Sequence, residues 1–126
     1  MAQQSLLHPQ EIEVFYIIPT LRRNLAISMK KQGLKQKQIA VLLNIEDAAV
    51  SQYINEKRGN KVQLSEEIIK EVNKSASLVK DKLSFLREMQ RLLKTVQDSR
   101  EICKIHKQFS NLPDNCTPEA VLCCRR

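Results

Sequence analysis

The stretch Leu34–Arg58, LKQKQIAVLLNIEDAAVSQYINEKR, decides how the whole chain is read. From Gln36 its apolar residues fall at Ile39, Ala40 and Leu43, the spacing of one buried helical face. Gly33 closes whatever helix precedes it, because glycine readily takes the left-handed conformation that ends a helix. Asn44 stands where a tight turn needs a residue tolerant of positive φ, and Ile45 is an apolar plug within that turn. Glu46 and Asp47 bring carboxylates to a helix start, where backbone N–H groups lack partners. A second helix is predicted from about Asp47 to Asn55, with Ala49, Val50 and Tyr53 or Ile54 pointing inward. The pattern is helix, short turn, helix.

If the second helix is a recognition helix in a DNA major groove, its outer face meets base edges. Ala48, Ser51 and Gln52 lie on that face, with Asp47 and Asn55 on its borders. Gln52 can read adenine bidentately, Ser51 can bond either base type, and Ala48 can meet a thymine methyl. Asp47 can accept from cytosine or simply cap the helix. Lys35, Gln36, Lys37, Lys57 and Arg58, with Lys61 beyond, flank the face and suit phosphates. The competing reading is a three-helix unit that contacts another protein.

The stretch resembles the helix-turn-helix of the phage repressor and Cro superfamily, the xenobiotic-response-element type. The residues that carry the likeness are Gln36, Ala40, Asn44-Ile45, Ser51 and Lys57-Arg58. Asn44 stands where that family usually has a glycine, and Glu46-Asp47 where it usually has Ser-Arg. The whole chain also resembles a group of archaeal transcriptional regulators, some of them fused to a thiamine-phosphate synthase domain for which these residues leave no room. The resemblance implies a DNA-binding transcription regulator. In the repressor superfamily the helix upstream braces the helix-turn-helix.

Composition agrees with an all-α chain. Two glycines and four prolines in 126 residues leave few turns, which favours long helices over many short strands. A formal charge of +7 points to a polyanionic partner; charge alone does not single out DNA, but together with the helix-turn-helix it agrees with double-stranded DNA. No apolar run approaches the roughly 20 residues needed to span a bilayer. The opening residues lack a basic segment followed by an apolar one, so no signal peptide and no membrane association are expected. The expected location is cytoplasmic, where thiols stay reduced.

Upstream, Pro9 suits a first helical turn with Glu11 and Glu13 near its positive end. Pro19 is expected to end or kink the apolar segment EIEVFYII. Thr20 is expected to cap a new helix bearing Leu21, Leu25, Ala26 and Met29 on one face and Arg22, Arg23, Lys30 and Lys31 on the other. Ile12, Val14, Phe15, Ile17 and Ile18 are core candidates, with enough apolar surface to share with a dimer interface.

Downstream, Ser65 is an N-cap followed by glutamates. Ile69, Val72, Ala76, Val79, Leu83 and Leu86 then repeat with heptad spacing, continuing after a phase slip through Met89, Leu93 and Val96. Self-association into a homodimer and packing against the N-terminal core compete for this stripe. Serines 75, 77 and 84 point to a break between two helices near Ser77 to Ser84. From about Asp98 the character changes to an irregular, cysteine-bearing tail.

All four cysteines lie in that tail. Cys103, His106, Cys116, Cys123 and Cys124 are the candidate metal ligands, Cys103 and His106 sharing one helical face at i, i+3. Sulfur-rich ligation would suit zinc or an iron–sulfur cluster. A redox-sensing thiol and small buried apolar cysteines are the alternatives, and the spacing decides none of them. The archaeal group carries Cys-x-x-Cys pairs where this chain has Met89 and Leu92. No phosphate loop, metalloprotease motif or oriented nucleophile–base pair is present, so no enzyme is expected. The expected organisation is a helix-turn-helix domain over residues 1–62, a helical arm over 63–98 that could dimerise, and a Cys-rich tail over 99–126. A helical protein–protein adaptor that does not bind DNA is the alternative function.

Overall fold

The computed structural model describes residues 6–55 and 58–121. Among them all regular secondary structure is helical, as the composition predicts. The first helical run consists of α1 (Pro9–Ile12), a π-helical turn (Glu13–Ile17) and α2 (Ile18–Lys31). Its start is held by the Glu11 carboxylate, which accepts from His8 N–H at 2.9 Å, and Pro9 occupies the first turn.

Pro19 does not end this run. It sits in the first turn of α2, and Thr20 lies inside the helix, its hydroxyl donating to the Tyr16 carbonyl at 2.7 Å instead of capping. The physical reason is directly upstream. Ile18 N–H reaches back five residues to the Glu13 carbonyl, and this wider turn relieves the clash a proline ring makes in a regular helix. The same turn explains the core spacing. Ile12, Ile17, Leu21, Leu25 and Met29 are all fully buried, and the one step of five among steps of four spans the π turn. Val14 and Phe15 are thereby left facing out, Phe15 at 58% exposed, so of the five core candidates only Ile12 and Ile17 are buried.

The helix ends at Gly33, φ +95°, with Leu34 N–H closing onto the Met29 carbonyl at 3.1 Å, a Schellman closure that satisfies an orphan carbonyl. Then come α3 (Gln36–Leu43) and α4 (Asp47–Ile54). α2 is the centre of the molecule, packing against α3, α4 and a further helix, α5 (Glu66–Leu78).

The predicted break in the arm falls between α5 and α6 (Lys82–Asp98). Asp81 and Ser84 make it a sharp start. Ser84 N–H donates to Asp81 Oδ1 at 2.8 Å and Asp81 N–H to Ser84 Oγ at 2.9 Å, a reciprocal capping box. α5 and α6 pack on one another and both reach α2, so Val72, Ala76 and Val79 of the apolar stripe are buried within the monomer. Of the two readings of the stripe, packing within the chain holds for these three residues. Leu83 and Leu86, in the middle of the stripe, stay open at 73% and 54% exposed, and Met89 and Val96 beyond them are buried again.

A polar network lies between α5 and α6. Glu88, 3% exposed, accepts from Ser75 Oγ at 2.8 Å, from Arg91 Nε at 3.0 Å and from Arg87 Nε at 3.3 Å. Arg91 also donates to the Glu71 carboxylate at 2.7 Å and to Ser75 Oγ. Burial pushes the Glu88 carboxyl up, but the hydrogen bonds from Ser75, Arg91 and Arg87 and the charge of Arg91 outweigh it and hold the group below the usual carboxylate range.

The tail is more ordered than its composition suggests. α7 (Glu101–Phe109) follows a left-handed Arg100, φ +64°, and a short α8 (Pro118–Val121) comes after a loop. Glu101 accepts from both the backbone and the hydroxyl of Ser65. At the other end of α7 the Phe109 ring stacks on Tyr16, centroids 4.0 Å apart and planes within 11°. Ser110 Oγ accepts from Leu7 N–H at 2.8 Å, and His106 Nε2 meets the Leu7 carbonyl at 2.5 Å. α7 therefore straps the N-terminal segment to the α5 N-terminus.

Candidate nucleic-acid interface

α3 ends as its sequence demands. Asn44 takes the left-handed conformation, φ +56°, and Ile45 N–H closes onto the Ala40 carbonyl at 3.0 Å. Glu46 is the N-cap residue of α4, its carbonyl accepting from Ala49 and Val50. Ile39, Ala40, Leu43, Ala49, Val50 and Tyr53 are buried, and Ile45 is half-buried against the same core. Tyr53, and not Ile54, is the inner residue at the end of α4, since Ile54 is only partly covered.

The opposite face of α4 is open. Asp47, Ala48 and Asn55 are exposed and Ser51 and Gln52 partly so. Asn55 Nδ2 donates to Ser51 Oγ at 3.3 Å, which orients both side chains along one edge. Lys35 and Lys37 are exposed at the start of α3. Gln36 is not a free amide: its Nε2 donates to the Asp47 carbonyl at 3.0 Å and so ties the start of α3 to the start of α4. Gln38 closes the first turn of α3, its Oε1 accepting from Lys35 N–H at 2.8 Å.

Arg58 is exposed, with its guanidinium 5.7 Å from the centre of the Tyr53 ring. This places a cation beside the C-terminal end of α4. Sequence reading took Tyr53 only as core and missed its second use as a platform for Arg58. The signal was the arginine one helical turn and a short loop further on. Lys57 lies outside the described residues. Val41 was also missed: it stands 78% exposed on the outer side of α3, one step off the buried face.

The tail residues do not converge in the same way. His106 is buried and turned to the Leu7 carbonyl. Cys103 is half-buried against the core, and Cys116 is half-buried in the loop before α8. Among the described residues no three His, Cys, Asp or Glu side chains are grouped as metal ligands, so this donor set does not by itself complete a zinc or iron–sulfur site. Cys123 and Cys124 lie outside the described residues. No described helix is long and apolar enough to cross a membrane.

The fold and this face define an all-helical protein with an exposed polar helix braced by a tight turn. Comparison with protein-family models, with curated proteins and with solved structures finds no match.

Proposed function

We propose that this chain is a sequence-specific DNA-binding transcription regulator that lays α4 in the major groove and acts as a homodimer in the cytoplasm. One observation carries the reading: α4 buries Ala49, Val50 and Tyr53 and leaves Asp47, Ala48 and Asn55 exposed and Ser51 and Gln52 partly exposed on its other side, with exposed Lys35, Lys37, Arg58 and Lys61 around it. A net charge of +7 supports it. Gln52 reads a base edge, while the lysines and Arg58 hold phosphates. Two copies on half-sites one helical turn apart, roughly 34 Å, multiply the few contacts one copy makes. The open apolar residues Leu83, Leu86 and Val14 are the surfaces available for that pairing.

The test is a duplex titration across salt. Binding falls steeply with salt where phosphates are held, with a slope of about 0.9 per phosphate on logarithmic axes. Arg58→Ala lowers that slope by about one and weakens all duplexes alike, whereas Gln52→Ala removes about 1–3 kcal/mol of discrimination at one or two base positions. A chain that binds no duplex at any salt is the adaptor instead.

A further inference from the structure

We propose that the cavity between the π-helical turn and the loop after α4 binds a small planar aromatic anion of the nucleoside monophosphate type. The cavity holds about 380 Å³, within the range of about 300–1,000 Å³ usual for small-molecule sites. Phe15, Tyr16 and Tyr53 give it aromatic walls, and Arg58 and Lys61 stand among the residues lining it. No carboxylate is among the described lining residues. The assignment stands whether or not α4 meets DNA.

Three features show that the walls are built. The π turn, forced beside Pro19, sends Tyr16 inward to stack on Phe109 and leaves the neighbouring Phe15 ring 58% exposed at the rim. π turns of this kind occur often at functional sites. Gly59, also among the lining residues, packs directly on Pro19: it has φ +66°, and a Cβ there would lie 2.4 Å from the Pro19 carbonyl oxygen. The glycine thus lets the loop carrying Arg58 and Lys61 close onto Pro19. Finally, the Arg58 guanidinium is held near the Tyr53 ring at 5.7 Å, which restrains a flexible cation beside the cavity.

The chemistry follows from this lining. A planar ring inserted beside Phe15 stacks on an aromatic face, a contact worth about five- to a hundredfold in affinity. A phosphate on the same molecule faces Arg58 and Lys61, where an arginine can hold it through paired N–H groups. Neither half suffices in water, where an isolated phosphate is well solvated and a lone ring gains only its stacking. The Thr20 hydroxyl is committed to the Tyr16 carbonyl, so recognition rests on the rings and the cations.

The chain has two tyrosines and no tryptophan, and both tyrosines line this cavity, so their ring signals report its occupancy directly. Adenosine 5′-monophosphate, ribose 5-phosphate and adenosine are each titrated into the full chain, followed by tyrosine ring NMR and calorimetry. The nucleotide is expected to bind about tenfold more tightly than either fragment and to shift both tyrosine rings. Phe15→Ala and Lys61→Ala, both at exposed positions, each weaken it about fivefold while helical circular dichroism stays unchanged. The proposal is overturned if the nucleotide shifts neither tyrosine at about 1 mM, or if ribose 5-phosphate binds as well as the nucleotide, which is charge alone. It is equally overturned if Phe15→Ala dissociates a dimer and leaves nucleotide binding intact, for the ring is then a contact between copies.

Discussion

The two helix pairs of this molecule use polar residues in opposite ways. Between α5 and α6, Glu88, Ser75 and Arg91 are turned inward and bonded to one another. On α3 and α4 the polar side chains face out, and their bonds are mostly short-range ties along the surface, as between Asn55 and Ser51 or Gln38 and Lys35. A buried carboxylate is tolerated only when its partners are in place, because removing one leaves a desolvated charge. The α5–α6 network therefore fixes how two helices sit, a job that apolar packing does with less directional precision. The outer face of α4 has no such duty and is free to meet a ligand. Substitutions should accordingly cost stability in the first pair and leave it nearly unchanged on the second.

The largest effect is expected from Glu88→Ala, which removes the buried partner that Ser75 and Arg91 share and leaves Arg91 to Glu71 and Ser75 alone; it should cost about 3 kcal/mol in urea unfolding at neutral pH, the low end for a broken buried pair. A loss below 1 kcal/mol would show the network to be ornamental and the contrast false. The same carboxyl sets a pH dependence. Its folded value lies below the usual 4.5, so its contribution is complete above about pH 4.5 and is lost as the pH falls through the folded value. Glu71, held down by its hydrogen bond from Arg91, acts in the same direction. Unfolding followed from pH 6 to pH 3 should be steeper for the natural chain than for Glu88→Gln.

Next comes Gly59→Ala, expected to cost about 2–3 kcal/mol because it combines a positive φ with a backbone clash against Pro19. Asn44→Ala at the α3–α4 turn should cost about 1–2 kcal/mol, since alanine lacks the asparagine side chain that eases the left-handed conformation. Asn44→Gly should stay near the natural stability, which separates backbone conformation from lost side-chain contacts. Smallest of all, Gln52→Ala should move stability by no more than about 0.5 kcal/mol. A larger shift would mean that Gln52 is a structural residue, and it would sharpen or break the division between the two pairs.

The parts legible in the sequence are those governed by neighbours three or four residues away. Ile39, Ala40 and Leu43 gave the inner face of α3, Asn44 its end, Ser65 the start of α5, and the serines the break before α6. What escaped depends on which faces meet. Glu88 lies beside Phe85, Met89 and Leu92 on the buried side of α6, and Ser75 lies beside Val72 and Ala76 on that of α5. A charge and a hydroxyl on two apolar faces were the available signal, but only the fold-back pairs them. The continuation of the helix past Pro19 escaped because the five-residue step from Ile12 to Ile17 is masked by Val14, Phe15, Tyr16 and Ile18. In the candidate site the outer residues of α4 were legible from periodicity, whereas the Gln36–Asp47 tie and the Arg58–Tyr53 contact require the turn's geometry.

The strap formed by α7 has a consequence for how the molecule assembles. Leu7 and Ser110 are 103 residues apart in the chain yet share a hydrogen bond, and joining points that distant costs about 4 kcal/mol in chain entropy. α3 and α4 need only a three-residue turn to find each other. Order should therefore spread from the middle of the chain outward, with the π turn and α7 docking late as one step once Phe109 can reach Tyr16. Until then the segment bearing Phe15 has no fixed partner, and the cavity behind it does not yet exist. In hydrogen exchange, the amides of α1 and α7 would open together and ahead of those of α2, as a latch that lifts while the body stays shut.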